Sequence, residues 1–258
     1  MGHLHLGQLA TSANWEGLVT LLGTPGFDIA SVATATGVGA RARIAGLRKD
    51  PSLGYCFWLL SRLASAARRP EFTDSVGRLG LDVAGSDSVL SFVSLVGDQV
   101  RDEVRNHPES GPFGELAADA LTRALTETVG TEGRSLFGSS VEDLERALRK
   151  HSTPDRFAVI ARRFFGDFVA RTLRFYIGKE LPKHVGSGAV ADVGQSAAFV
   201  ADLDRYTREV ALIVERYAAE WFDKYDGRTD GTISRDQAQQ FVSVAVGKLR
   251  DELQVTAR

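Results

Sequence analysis

TPDRFAVIARRFFGDFVARTLRFYIGKELPKHVG, residues 153–186, is the stretch on which the fold turns. Advancing about 100° per residue sets Phe157, Phe164, Phe168 and Phe175 on one side of a helix of about eight turns. Phe165, Val169 and Tyr176 fall on a second side, and Val159, Leu173 and Ile177 on a third. A single narrow stripe stays polar, holding Arg156, Arg163, Asp167, Arg171 and Arg174. A helix apolar nearly all round is a buried helix, so the segment reads as a core strut with one basic ridge.

Working outward, helical spacing recurs and no alternating run is long enough to found a sheet. Thr153 and Pro154 start the strut, and Pro182 with the glycines of HVGSGAVADVGQS ends it. From about Ser196 to Tyr225, Phe199, Leu203, Tyr206, Val210, Ile213, Tyr217 and Trp221 recur in steps of three and four, which predicts one long helix. Ser234 and Gln237 form a capping box for a last helix that presents Ala238, Phe241, Val242, Ala245, Leu249 and Leu253. Toward the N-terminus, Pro51–Arg68 is apolar almost all round, Ile29–Leu47 holds two short helical pieces interrupted by Gly37 and Gly39, and Pro70 opens a short helix. Ser88–Asn106 and Pro112–Val129 are amphipathic, and Ser140 with Asp143 caps a short helix ending at Lys150. The expected fold is an all-α, multi-helix bundle with C-terminal antiparallel helices packed around the Phe-rich strut. Its regions are 1–130, a Gly/Ser-rich linker with a short helix at 131–152, and 153–258, either separate or one continuous domain.

A formal net charge of -2 and 25% charged residues describe an ordinary globular chain and argue against a wholesale nucleic-acid or anionic-membrane binder. Charge is nonetheless segregated. From Lys150 to His184 eight Lys or Arg face three acidic residues, while Asp202–Asp226 holds seven acidic residues against four basic ones. Either the basic helix is matched by acidic neighbours within the fold, or its ridge faces a partner. The one cysteine, Cys56, sits in the apolar run YCFWLL as a small hydrophobe, and no signal peptide or spanning segment is seen, so a cytoplasmic location is expected. Arg outnumbers Lys by 25 to 6, a composition associated with GC-rich bacterial genomes.

Five features have the residue types of a site. The loop DKYDGRTDGTISRDQ resembles an EF-hand, with Asp226, Asp230 and Ser234 at the first, fifth and ninth ligand positions. Arg228 at the third and Gln237 in place of the bidentate Glu leave the set degenerate, so no metal is expected. Arg101 with His107, and Arg146 with His151, place Arg and His at the short spacing of HEPN-type helical ribonucleases, where the pair handles a 2′-hydroxyl and a phosphate. His3 and His5 lack further ligands, and GVGARA from Gly37 lacks the strand that a dinucleotide fingerprint requires, so no cofactor is expected. The ridge itself remains: forked guanidinium donors of Arg156, Arg163, Arg171 and Arg174 suit an acidic protein partner or nucleic acid, while Asp167 and the acidic following helix offer internal pairing.

The stretches RRFFGDFVARTLRFYIGKELPKHVG, AEWFDKY and AQQFVSVAVGKLRDEL resemble the C-terminal part of helical accessory proteins encoded beside enzymes in bacterial multi-gene loci, phage-defence operons among them. The resemblance covers about a hundred residues from Thr153 and implies an accessory or scaffold subunit, with no functional residue to carry over. The expected function is therefore a non-enzymatic helical adaptor of a multi-protein complex with a protein partner. The alternative is a metal-independent helical ribonuclease or nucleic-acid-binding protein built on Arg101, His107, Arg146 and His151.

Overall fold

The structure, a computed structural model, describes residues 13–22, 24, 28–39, 41–83, 88–107, 113–132, 141–178, 193–228 and 232–255. These residues form helices without any strand: α1 (Ala13–Leu22), α2 (Ile29–Gly39), α3 (Arg41–Leu47), α4 (Pro51–Ala66), α5 (Phe72–Gly77), α6 (Val89–Asn106), α7 (Gly114–Glu132), α8 (Val141–Lys150), α9 (Pro154–Ile177), α10 (Val193–Val210), α11 (Leu212–Arg228) and α12 (Arg235–Val255). The all-α multi-helix class read from the periodicity is the class observed.

The strut is α9. Four of its five phenylalanines, Phe157, Phe164, Phe165 and Phe168, are buried, and it is flanked by α11, α7 and α10, with α2 and α4 also in contact. The second buried helix is α4, begun by Pro51 at its first position and capped by Asp50, whose carboxylate accepts from Ser52 N at 2.9 Å and Leu53 N at 3.1 Å. The two meet at Phe57, whose ring lies 5.9 Å from that of Phe157 and 5.5 Å from that of Phe165, with Trp221 of α11 at 5.1 Å and Phe241 of α12 stacked at 4.5 Å. One hydrophobic cluster runs from Leu18 to Leu253, taking in Leu144 and Leu148 of α8, and so passes through all three regions read from the sequence.

Three elements depart from the sequence expectation. The predicted helix over 196–225 is broken at Ala211 into α10 and α11. Gly166 of α9 lies beneath the break: a Cβ there would stand 3.3 Å from Ala211 Cβ and 3.4 Å from Arg208 Cα, so two backbones approach as closely as a missing side chain allows. The Gly/Ser-rich stretch 130–140 is helical as far as Glu132, and its remainder lies outside the described residues.

Finally, α12 packs chiefly against α4, with α2, α11 and α3 also flanking it, so it joins the N-terminal half as well as lying beside α11. Side chains tie it to the N-terminal half. Trp58 Nε1 donates to Ile233 O at 3.0 Å, Gln239 Nε2 to Arg48 O at 3.0 Å, Arg48 Nε to Ser243 O at 3.1 Å and Thr34 Oγ1 to Leu253 O at 2.6 Å. Each satisfies a backbone carbonyl near a helix end or groove, where an unpaired polar group is costly.

Candidate functional site

The arginine ridge is largely turned inward. Asp167, buried in the middle of α9, takes Arg171 Nε from the next turn and Arg123 Nη1 of α7 at 3.0 Å. Arg171 Nη1 reaches Asp119 at 3.3 Å, and Asp119 in turn holds Arg101 Nη2 of α6 at 3.2 Å. Arg101 also lies 3.5 Å from both Asp98 and Glu115. In the other direction Arg123 Nε binds Glu127 at 2.8 Å, and Arg208 of α10 stands 3.7 Å from the same carboxylate. Arg163 Nη1 donates to the backbone oxygen of Glu127 at 2.8 Å, and Arg174 pairs with Asp204 of α10.

These groups form a ladder of alternating sign across α6, α7, α9 and α10. Burial alone would raise the Glu127 carboxyl, but the hydrogen bond and charge of Arg123, with Arg208 and Arg163 nearby, hold it below the usual range. Arg174 is shifted down, chiefly by burial and then by the crowding of Arg123, Arg171 and Arg208, with Asp167 opposing. Of the four ridge residues proposed to face a partner, Arg163, Arg171 and Arg174 are thus engaged within the fold, and Arg156 is exposed. The acidic neighbours that the charge segregation called for are Asp119, Glu127 and Asp204.

The Arg–His pairs fare differently from a phosphate-handling site. Arg101 is neutralised by three carboxylates, and His107 follows the last residue of α6. Arg146 is exposed and bound to Asp143 at 2.7 Å, while His151 lies in the turn between α8 and α9. A guanidinium already matched by carboxylates offers little attraction to a phosphate.

Two positions of the degenerate EF-hand-like loop have other partners. Asp226 is buried and accepts from Ser65 Oγ and, at 2.6 Å, from Arg68 Nη1, so it joins α11 to the end of α4. Ser234 is spent on the cap of α12, accepting from Gln237 N at 3.2 Å while its own N–H donates to Gln237 Oε1 at 2.8 Å. Asp230, His3, His5 and His184 lie outside the described residues. Among the described residues no three His, Cys, Asp or Glu side chains gather as a metal would require, and no helix is long and apolar enough to cross a membrane. Cys56 is fully buried, which pushes its thiol well above its ordinary value and leaves it chemically quiet.

The surface with the chemistry of a binding site is a groove of about 540 Å³ between α11 and α12. Tyr217, Trp221 and Tyr225 of α11, spaced at i, i+4 and i+8, form one wall and much of the floor, completed by Phe241 of α12. Val244, 52% exposed in the middle of the α12 wall, is among the large hydrophobic side chains left in solvent. Glu220, Lys224, Gln240 and Lys248 make the rim. Lys224 Nζ stands 5.0 Å from the Tyr225 ring centroid, and neither Lys224 nor Lys248 enters an ion pair among the described residues. Tyr217 keeps its hydroxyl buried with no hydrogen-bond partner among the described residues, and burial pushes its pKa up to about 12.

A second groove, about 550 Å³ between α9 and the α10–α11 junction, is lined mainly by charged side chains, including Arg162, Arg205, Asp202 and Asp204. Those charges are already matched: Arg162 with Glu215 at 2.7 Å, Arg205 with Asp202, and Asp204 with Arg174. The α11/α12 groove escaped the sequence reading because Tyr217, Trp221 and Phe241 fit a core stripe. The available signal was the α12 row Gln240, Val244, Lys248, which sets an aliphatic residue between two polar ones on what should be a solvated face.

No protein family, curated relative or solved structure matches the chain.

Proposed function

We propose that the protein is a non-enzymatic helical adaptor that docks on another protein of a multi-protein assembly, as the resemblance to accessory proteins of phage-defence loci implies. The observation that supports this reading is the α11/α12 groove, where aromatic and aliphatic surface is left open between two lysines that enter no ion pair among the described residues. An apolar centre with a polar rim is the anatomy of a protein interface. The docking surface on this reading is the groove in place of the arginine ridge, since three of the four ridge guanidiniums are occupied within the fold.

Affinity purification of the tagged chain from its native host, with Val244→Asp in parallel, tests the reading. We expect a stoichiometric protein partner with the unaltered chain and its loss with the variant, because a carboxylate at the centre of an apolar contact must be desolvated without a partner. Recovery of the chain alone, or of RNA in place of protein, would refute the adaptor. Retention of the partner by the Val244→Asp protein would move the interface elsewhere.

A further inference from the structure

The groove specifies more than a protein in general. The notch between two neighbouring helices is matched in width by the side-chain ridge of a third helix. The aromatic rings on its floor are not offered as free faces. Trp221 packs against Phe157 at 6.4 Å, Phe241 at 4.9 Å and Tyr225 at 5.4 Å, and Tyr217 against Phe241 at 5.6 Å. Bases stack on open ring faces and follow dense positive charge, whereas here the exposed centre is the aliphatic Val244 and the charge around it is sparse, two lysines and Glu220.

Charge sets the rest. Most of the arginines bordering α9 are matched by carboxylates, whereas Lys224 and Lys248 enter no ion pair among the described residues. Lys248 lies two turns beyond Phe241 on α12 and Lys224 one turn beyond Trp221 on α11, in chain segments that run back past each other. At 1.5 Å rise per residue the backbone positions of the two lysines lie about ten residues apart, roughly 15 Å along the groove.

We infer that the groove receives an amphipathic α-helix of the partner, which sets apolar side chains against Trp221 and Val244 and presents carboxylates about ten or eleven residues apart to Lys224 and Lys248. This rests on the adaptor reading and adds the shape and charge of the occupant. The side chains at the centre give the contact its hold, and the flanking carboxylates choose its register and exclude basic helices.

The test sorts a displayed library of helical peptides, about 20 residues long, against the full-length protein. The library fixes apolar residues at the i, i+3, i+4 and i+7 positions and leaves the flanks random. We expect enrichment of Asp and Glu at two positions about three turns apart. Binding of the enriched peptides should weaken about tenfold or more in the Lys224→Glu, Lys248→Glu double variant and return when the peptide carboxylates are exchanged for lysine. Both substitutions lie on the solvent-facing rim, so the fold is retained. Absence of enrichment, enrichment without an acidic bias, or indifference to the double variant overturns the inference. So does binding of an oligoribonucleotide that the double variant abolishes. If the library fails while Val244→Asp still releases a protein partner, the helical occupant is wrong and the adaptor stands. If both fail, the adaptor falls with it.

Discussion

Asp167 shows how a single buried carboxylate sets the fate of a basic helix. It sits where α9 would otherwise turn only guanidiniums toward α7, and it binds Arg123 and Arg171 together. Removing it by Asp167→Ala takes the shared buried anion from two partly buried cations and leaves Arg123 only Glu127 and Arg171 only Asp119. The expected cost is about 2 to 4 kcal/mol, toward the low side of the usual range because both arginines keep some solvent. Urea unfolding would measure it, and a loss under about 0.5 kcal/mol would mean that the ladder is a surface ornament. Glu127 adds a pH dependence. Its folded pKa lies below the unfolded one, so its contribution is present above the ordinary Glu value of about 4.3 and is lost as pH falls through the depressed folded value. Glu127→Gln should therefore lower the urea midpoint at pH 7, and the gap to the unaltered protein should narrow on acidification below about pH 4.5. A gap that stays constant down to pH 3 would remove Glu127 from the account.

At the scale of elements, what was legible depended on whether the deciding interaction was local. The start of α4 at Pro51 and the Ser234–Gln237 cap of α12 are written in a few adjacent residues and appear as read. The buried faces of α9 follow from periodicity alone. The break at Ala211 does not, and the residue it packs on, Gly166, lies 45 positions upstream. Likewise, nothing within the C-terminal third shows that α12 will also lie on α4; the carbonyl contacts of Trp58, Arg48 and Thr34 do that. The fate of the arginine stripe was readable as an alternative, since Asp167 lies within it, but Asp119 and Glu127 are on a helix whose position the stripe does not encode. The Gly166 contact is testable. Gly166→Val should cost about 1 to 3 kcal/mol by forcing α9 away from the α10–α11 junction, read as a fall in the thermal midpoint. An unchanged midpoint would show that the junction has room.

For the molecule as a whole, Phe57 is the point at which distant parts of the chain become one core. Its ring touches aromatic rings of α9, α11 and α12, some 184 residues away at the farthest. Phe57→Ala should cost about 3 to 5 kcal/mol, and a single cooperative unfolding transition should persist at the lower stability. Two separated transitions in calorimetry would instead divide the chain into halves that melt alone. Near this hub lies the groove, with two of the chain's six lysines on its rim. Because the positive charge elsewhere is carried almost wholly by arginine, whose guanidinium does not react with acylating reagents, primary amines are scarce and well placed. An amine-reactive cross-linker added to the assembled complex would have few sites to report from, and Lys224 and Lys248 would report whatever lies across the groove.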